Sequence, residues 1–123
     1  MIVGIGVDIV HVDRLKRWTK IPGIIERYFH PMEIIDAQAR GSSINVSLAA
    51  RFAAKEALGK AFGTGLKGIQ LKDIQVVSNH NGKPDICVHG TALKAFEQSG
   101  AKNIFVSMTH EHDNAVAMVV LEK

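Results

Sequence analysis

Cysteine is almost absent. Cys87 is the single one in 123 residues, so no disulfide can close within the chain and nothing marks an oxidising compartment. Long apolar runs are missing too, which removes a membrane-spanning helix and a membrane partner from the expectations. The first ten residues, Met1 to Val10, are apolar. They begin without a basic segment and contain Asp8, unlike a signal peptide, so a cytoplasmic location is expected. Aromatic residues make up only 6%, and no recognisable nucleic-acid-binding motif accompanies the basic residues, so no nucleic acid is expected as partner. Charge is nearly balanced. The 15 basic and 12 acidic residues leave +3, which suits an anionic ligand or an acidic partner without demanding either. Repeats, low-complexity tracts and linkers are also lacking. The length allows one hydrophobic core, so residues 1–123 are expected to form one domain.

What is present alternates between strand and helix patterns. Met1 to Val10 (MIVGIGVDIV) reads as a buried strand, and Asp13 to Trp18 as a short basic amphipathic helix. Ile21 to Arg40 holds one or two more helices, with Pro31 suited to a first turn. Leu48 to Phe62 is rich in alanine and is the clearest helix, with Ser47 placed to cap its start and Gly63 to end it. Leu71 to Val77 and Asp85 to His89 read as strands around Asn79 to Pro84, where Asn81-Gly82 is a hairpin signal. Thr91 to Gln98 reads as a helix capped by Thr91 and stopped by Gly100. Ile104 to Met108 and Ala115 to Leu121 close the chain as strands, and Cys87 reads as an inert core residue. The expected fold is α+β, with helices gathered on one side of a mostly antiparallel sheet.

Four groups of residues stand out as candidate sites. Asp8 is the one charge in an apolar strand. Either it ends the strand and caps the next helix, or it holds a cation, since a buried carboxylate needs compensation. Gly4 and Gly6 beside it suggest a close approach of another chain or a ligand. Glu56 and Lys60 lie one helical turn apart. They are either an exposed ion pair worth about 0.2–0.5 kcal/mol, or a cation ligand and a phosphate-neutralising lysine. In the second case the flanking Ala53, Ala54 and Ala57 would admit a ligand. Two carboxylates from distant segments, with positions left for phosphate and water, are what magnesium prefers. His110 and His112 share a face of an extended stretch. They suit a polar turn, a phosphate contact or zinc, though no third zinc ligand has fitting spacing. Arg14, Arg17 and Lys20 form a basic ridge around Trp18. It is either a solvated helix face or a docking surface for an acidic helix, with Trp18 or Leu15 as apolar anchor.

In this order and at this length, these segments resemble one family, the bacterial holo-acyl-carrier-protein synthases, the small type of phosphopantetheinyl transferase. Gly4-Ile-Gly-Val-Asp-Ile-Val10 is similar to its opening strand. Arg27-Tyr-Phe-His-Pro-Met-Glu33 resembles its Phe-Thr-x-x-Glu segment, with His30 in the place of the threonine. Leu48-Ala-Ala-Arg-Phe-Ala-Ala-Lys-Glu-Ala57, continued by Lys60-Ala61 and Gly63-Thr-Gly65, carries the most specific likeness. Asn81-Gly-Lys-Pro84 and Ser107-Met-Thr-His110 add the hairpin and the Ser-x-Ser-His element. The resemblance implies a magnesium-dependent transfer of 4′-phosphopantetheine from coenzyme A to a serine of an acyl carrier protein, with adenosine 3′,5′-bisphosphate leaving. It implies Asp8 and Glu56 as metal ligands and catalytic residues. Lys60 would be both catalytic and coenzyme-A-binding, His110 would contact coenzyme A, and Arg14, Arg17 and Trp18 would meet the carrier. The base that takes the serine proton stays open among Asp8, Glu56 and a metal-held water. The resemblance further implies a homotrimer with sites between subunits. The rival expectation is a non-catalytic module that binds a phosphorylated ligand.

Overall fold

The computed structural model describes residues 1–123. Strand β1 (Ile2–His11) leads into helices α1 (Val12–Trp18), α2 (Ile24–Tyr28), α3 (Pro31–Gln38) and α4 (Ile44–Phe62). Strands β2 (Ile74–Ser78) and β3 (Pro84–Val88), helix α5 (Gly90–Ser99) and strands β4 (Asn103–Glu111) and β5 (Asn114–Glu122) follow. The α+β class is as expected, but the strands form two antiparallel sheets rather than one. One has the order β1-β5-β4 and the other is the β2-β3 hairpin.

The core lies between α4 and the three-stranded sheet. Alternation along the strands turns Gly6 and Val10 of β1 and Ala115, Ala117, Val119 and Leu121 of β5 towards the helix, all buried. Opposite them α4 buries Leu48, Ala49, Ala53, Ala54, Ala57, Leu58 and Ala61. Small residues on both sides bring the backbones together. A Cβ on Gly6 would lie 1.9 Å from the carbonyl oxygen of Ala57, and one on Gly4 2.0 Å from that of Ala61. The close approach expected at these glycines and alanines is therefore made by the chain's own helix and strand, not by a second chain or a ligand.

Several local expectations shift for physical reasons. Helix α4 begins at Ile44, a turn before Ser47. Ser47 is thus an interior residue whose hydroxyl accepts a hydrogen bond from Arg51 Nε at 3.2 Å. Leu71–Asp73 form a 3-10 turn ahead of β2. Thr91 sits inside α5 rather than capping it. Its backbone N–H and its hydroxyl both donate to Asp73 Oδ2, at 2.9 and 2.6 Å, while the hydroxyl accepts from Gln70 N at 2.8 Å. Cys87 faces solvent, so it is no core residue. Pro31 takes the first turn of α3, and Gly63 and Gly100 end α4 and α5 in the left-handed conformation at φ 83° and 79°. No helix is long and apolar enough to cross a membrane.

Candidate active site

Asp8 follows Gly4 and Gly6 at intervals of two, so it points to the α4 side of β1, just beyond the tightest contact. Its side chain keeps 20% of its exposure. Lys60, in the last turn of α4, donates through Nζ to Asp8 Oδ1 at 3.0 Å and to the carbonyl of Val7 at 3.0 Å. Asp8 does not cap α1: the cap is His11, whose Nδ1 accepts from Asp13 N at 3.3 Å. Of the two readings open at Asp8, the cap is removed.

Glu56 stands one turn before Lys60, half-buried. Its carboxyl is pushed above the ordinary carboxylate range first by burial and then by the charge of Asp8. Lys60 and Arg14 pull it the other way. The simple exposed Glu56–Lys60 ion pair is therefore replaced by a shared arrangement, in which Lys60 bonds to Asp8 and Glu56 is left without a partner of its own. Two carboxylates from distant segments face one space, and the charge of Asp8 makes Glu56 harder to ionise. A hard divalent cation suits this donor set: it would relieve the repulsion through oxygen ligands and leave positions for phosphate and water. No group of three or more His, Cys, Asp or Glu side chains converges anywhere in the chain, which leaves the zinc reading of His110 and His112 without its ligands.

His110 is not brought to this cluster. It sits near the end of β4 opposite Ala115, whereas Asp8 pairs with Ala117 across β5. With Arg40, Ser43, Ser47, Arg51 and Thr109 it lines a cavity of about 320 Å³ beside the start of α4. Ser47 and Glu56 lie nine residues apart on that helix, which means about 13 Å of rise and half a turn of rotation. The basic cavity and the carboxylates thus occupy opposite faces of α4.

The basic ridge is partly as expected. Arg17 is exposed and Arg14 half-buried. Trp18 is half-buried rather than free. Its ring packs edge-on against Phe52 at 5.0 Å and tilted against Tyr28 at 5.2 Å, with the Arg14 guanidinium 6.0 Å above it. Leu15 is fully buried and cannot anchor a partner.

Sequence reasoning passed over a set of buried charges. Glu33 and Lys55 are fully buried and Arg51 is 2% exposed. Lys55 Nζ donates to Glu33 Oε1 at 2.6 Å and to the carbonyls of Leu71, at 3.0 Å, and Ile74. The available signal was the spacing of Arg51 and Lys55, one turn apart in a helix whose other residues there are apolar. His30, which stands where the related segment has threonine, still serves as a cap. Its Nδ1 accepts from Met32 N at 3.1 Å, and Glu33 Oε1 accepts from His30 N at 2.9 Å.

The family described as the 4′-phosphopantetheinyl transferase superfamily matches residues 4–119. A holo-[acyl-carrier-protein] synthase of Treponema denticola is 46% identical over 122 residues, covering 99% of this chain and 99% of the relative. Among solved structures, a holo-[acyl-carrier-protein] synthase from Neisseria meningitidis superposes with a TM-score of 0.89 at 38% identity, with 100% of both chains covered. The Bacillus anthracis synthase in complex with CoA (3′,5′-ADP) superposes with a TM-score of 0.83 at 35% identity, covering 100% of this chain and 98% of that one.

Proposed function

The chain belongs to the 4′-phosphopantetheinyl transferase superfamily, and on that premise we propose that it moves 4′-phosphopantetheine from coenzyme A onto a serine hydroxyl of an apo-acyl-carrier protein. Adenosine 3′,5′-bisphosphate leaves. The observation that carries the reading is the meeting of Asp8, Glu56 and Lys60 where the end of α4 crosses β1. We assign Asp8 and Glu56 as ligands of Mg²⁺, which when bound would neutralise charge on the coenzyme A pyrophosphate. Lys60, held by Asp8 and the Val7 carbonyl, adds a fixed cation for the same phosphates.

Coenzyme A carries a second anionic group, its 3′-phosphate, far from the bond that breaks. The basic cavity of Arg40, Arg51 and His110 fits that group by charge and hydrogen-bond donors. Since this cavity and the carboxylates lie on opposite faces of α4, one coenzyme A would use the carboxylates of one copy and the cavity of a neighbour. A homotrimer with shared sites answers that need. The whole chain then acts as one transferase domain in the cytoplasm, where both substrates would reach it. Arg14, which acts on Glu56, and Arg17, in the last turn of the chain's first helix, supply positive charge for an acidic carrier, with the Trp18 ring under Arg14.

Mass spectrometry of an apo carrier protein tests the proposal. Incubation with the chain, coenzyme A and Mg²⁺ should add one phosphopantetheine. Glu56→Gln, Asp8→Ala or excess chelator should suppress the gain by a factor of about a thousand or more. An unmodified carrier would refute the transfer, and full activity in excess chelator would refute the metal assignment.

A further inference from the structure

We propose that Glu33 is a positioning residue for substrate binding: from the core it fixes the guanidinium of Arg51 in the basic cavity, so that a phosphate entering meets a donor already oriented. This rests on the reading of that cavity as the pocket for the 3′-phosphate of coenzyme A. Glu33 itself is fully buried and does not line the cavity, so it acts only through another side chain.

Every polar atom of the network is accounted for on one side and open on the other. Glu33 Oε1 accepts from Lys55 Nζ at 2.6 Å and from the backbone of His30 at 2.9 Å. Glu33 Oε2 accepts from Val76 N at 3.1 Å and stands 4.0 Å from Arg51 Nη1. Arg51 donates from Nη1 to the Val76 carbonyl at 2.5 Å and from Nε to Ser47 Oγ at 3.2 Å. Its Nη2 reaches no acceptor, the nearest carboxylate being Asp36 at 4.0 Å. The guanidinium is therefore clamped along one edge and unpaired along the other, while lining the cavity.

Two buried cations, Arg51 and Lys55, share one buried carboxylate, Glu33. A buried charge without full compensation is costly, and hydrophobic replacement of such a network is often neutral or stabilising. Asp36, half-exposed and 4.0 Å from Nη2, is the other carboxylate near the guanidinium, and it leaves that edge of Arg51 without a hydrogen bond at the cavity wall. Glu33 fastens α3, α4 and β2 at one point, so the same carboxylate that seats Arg51 also holds the cavity wall.

The test compares adenosine 3′,5′-bisphosphate with AMP, which lacks the 3′-phosphate, by calorimetric titration of the whole assembled protein. The parent should prefer the bisphosphate by at least about tenfold, as charge-assisted pairs with phosphate do. Arg51→Met should bring that ratio close to one. Glu33→Gln should lower it by most of the same factor, while AMP affinity and the far-ultraviolet circular dichroism stay as in the parent. Glu33→Gln combined with Arg51→Met should equal Arg51→Met alone. Should Glu33→Gln not fold, Glu33→Gln with Lys55→Met removes both partners, leaves no newly unpaired charge between them, and should show the same lowered ratio. A parental ratio in either folded variant overturns the role of Glu33. A parent with no preference overturns the reading of the cavity, an Arg51→Met variant that keeps the preference overturns the part of Arg51 in it, and the role of Glu33 falls with either.

Discussion

Glu56 carries a conflict between stability and use. Burial and the neighbouring Asp8 raise its carboxyl, so the folded chain holds that proton to higher pH than the unfolded chain does. For an acid raised in this way, the stabilising contribution is complete at low pH and is lost as pH rises through the folded-state value. In chelator, Glu56→Gln should therefore match the parent in acid and melt at a higher temperature above the ordinary carboxylate range. The gain should be about 1 kcal/mol or less, because the group is half in water. Added Mg²⁺ should reverse the order by stabilising the parent alone, since only the folded parent offers both ligands. Thermal melts across pH, with and without Mg²⁺, check this. A variant that melts below the parent in chelator at alkaline pH would show that Glu56 is not held under repulsion. Asp8 was legible in the sequence as the lone charge in an apolar strand. Glu33 was not, because a carboxylate at the third position of a helix reads as an ordinary cap partner, and its burial depends on α4 and β2, distant in the chain.

Among the elements, the contact of β1 with α4 decides where the site forms. Its closeness comes from glycines on the strand and alanines on the helix, so it tolerates no growth. Gly6→Ala would put a Cβ 1.9 Å from the Ala57 carbonyl, in rigid backbone, and would force the helix off the strand. We expect about 3 kcal/mol of destabilisation, and a loss of transfer larger than that instability explains, because Asp8 and Lys60 would separate. Chemical denaturation and kinetics on the same preparation test this, and near-parental values in both would contradict the packing argument. The strong glycine, alanine and proline signals made β1, the ends of α4 and α5, and the start of α3 legible. The start of α4 was obscured because Ile44 and Val46 are weak helix formers. The chain still begins the helix there, where partial burial of both against the core outweighs propensity. The division into two sheets was also hidden, since a strand pattern shows which face is buried and not which neighbour it pairs with.

For the whole molecule, the unsolved surface is the far side of the three-stranded sheet. Ile5, Val7 and Ile9 of β1, Met118 of β5 and Phe105 of β4 are each about half exposed or more, at 60, 56, 60, 47 and 51%. Register lines up Ile5, Val120 and Phe105 as one row across the three strands. A contiguous apolar face of this kind on a small chain marks an interface. It supports the trimer better than Gly4 and Gly6 do, since those serve α4. Light scattering should give about three times the 13.4 kDa chain mass. Ile5→Lys with Phe105→Lys should yield a folded monomer without transfer activity; a monomer of full activity would contradict the shared site. Complementation probes the sharing directly. Glu56→Gln damages the carboxylate face and His110→Ala the basic cavity, so each variant alone should transfer poorly. In trimers mixed at random, a site takes an intact Glu56 from one subunit in half of the cases and an intact His110 from its neighbour in half. About a quarter of the sites should then be whole, and mixing the two weak variants should restore about that fraction of parental activity. If both halves of the site belonged to one chain, no mixed trimer would hold a whole site, and mixing would restore nothing.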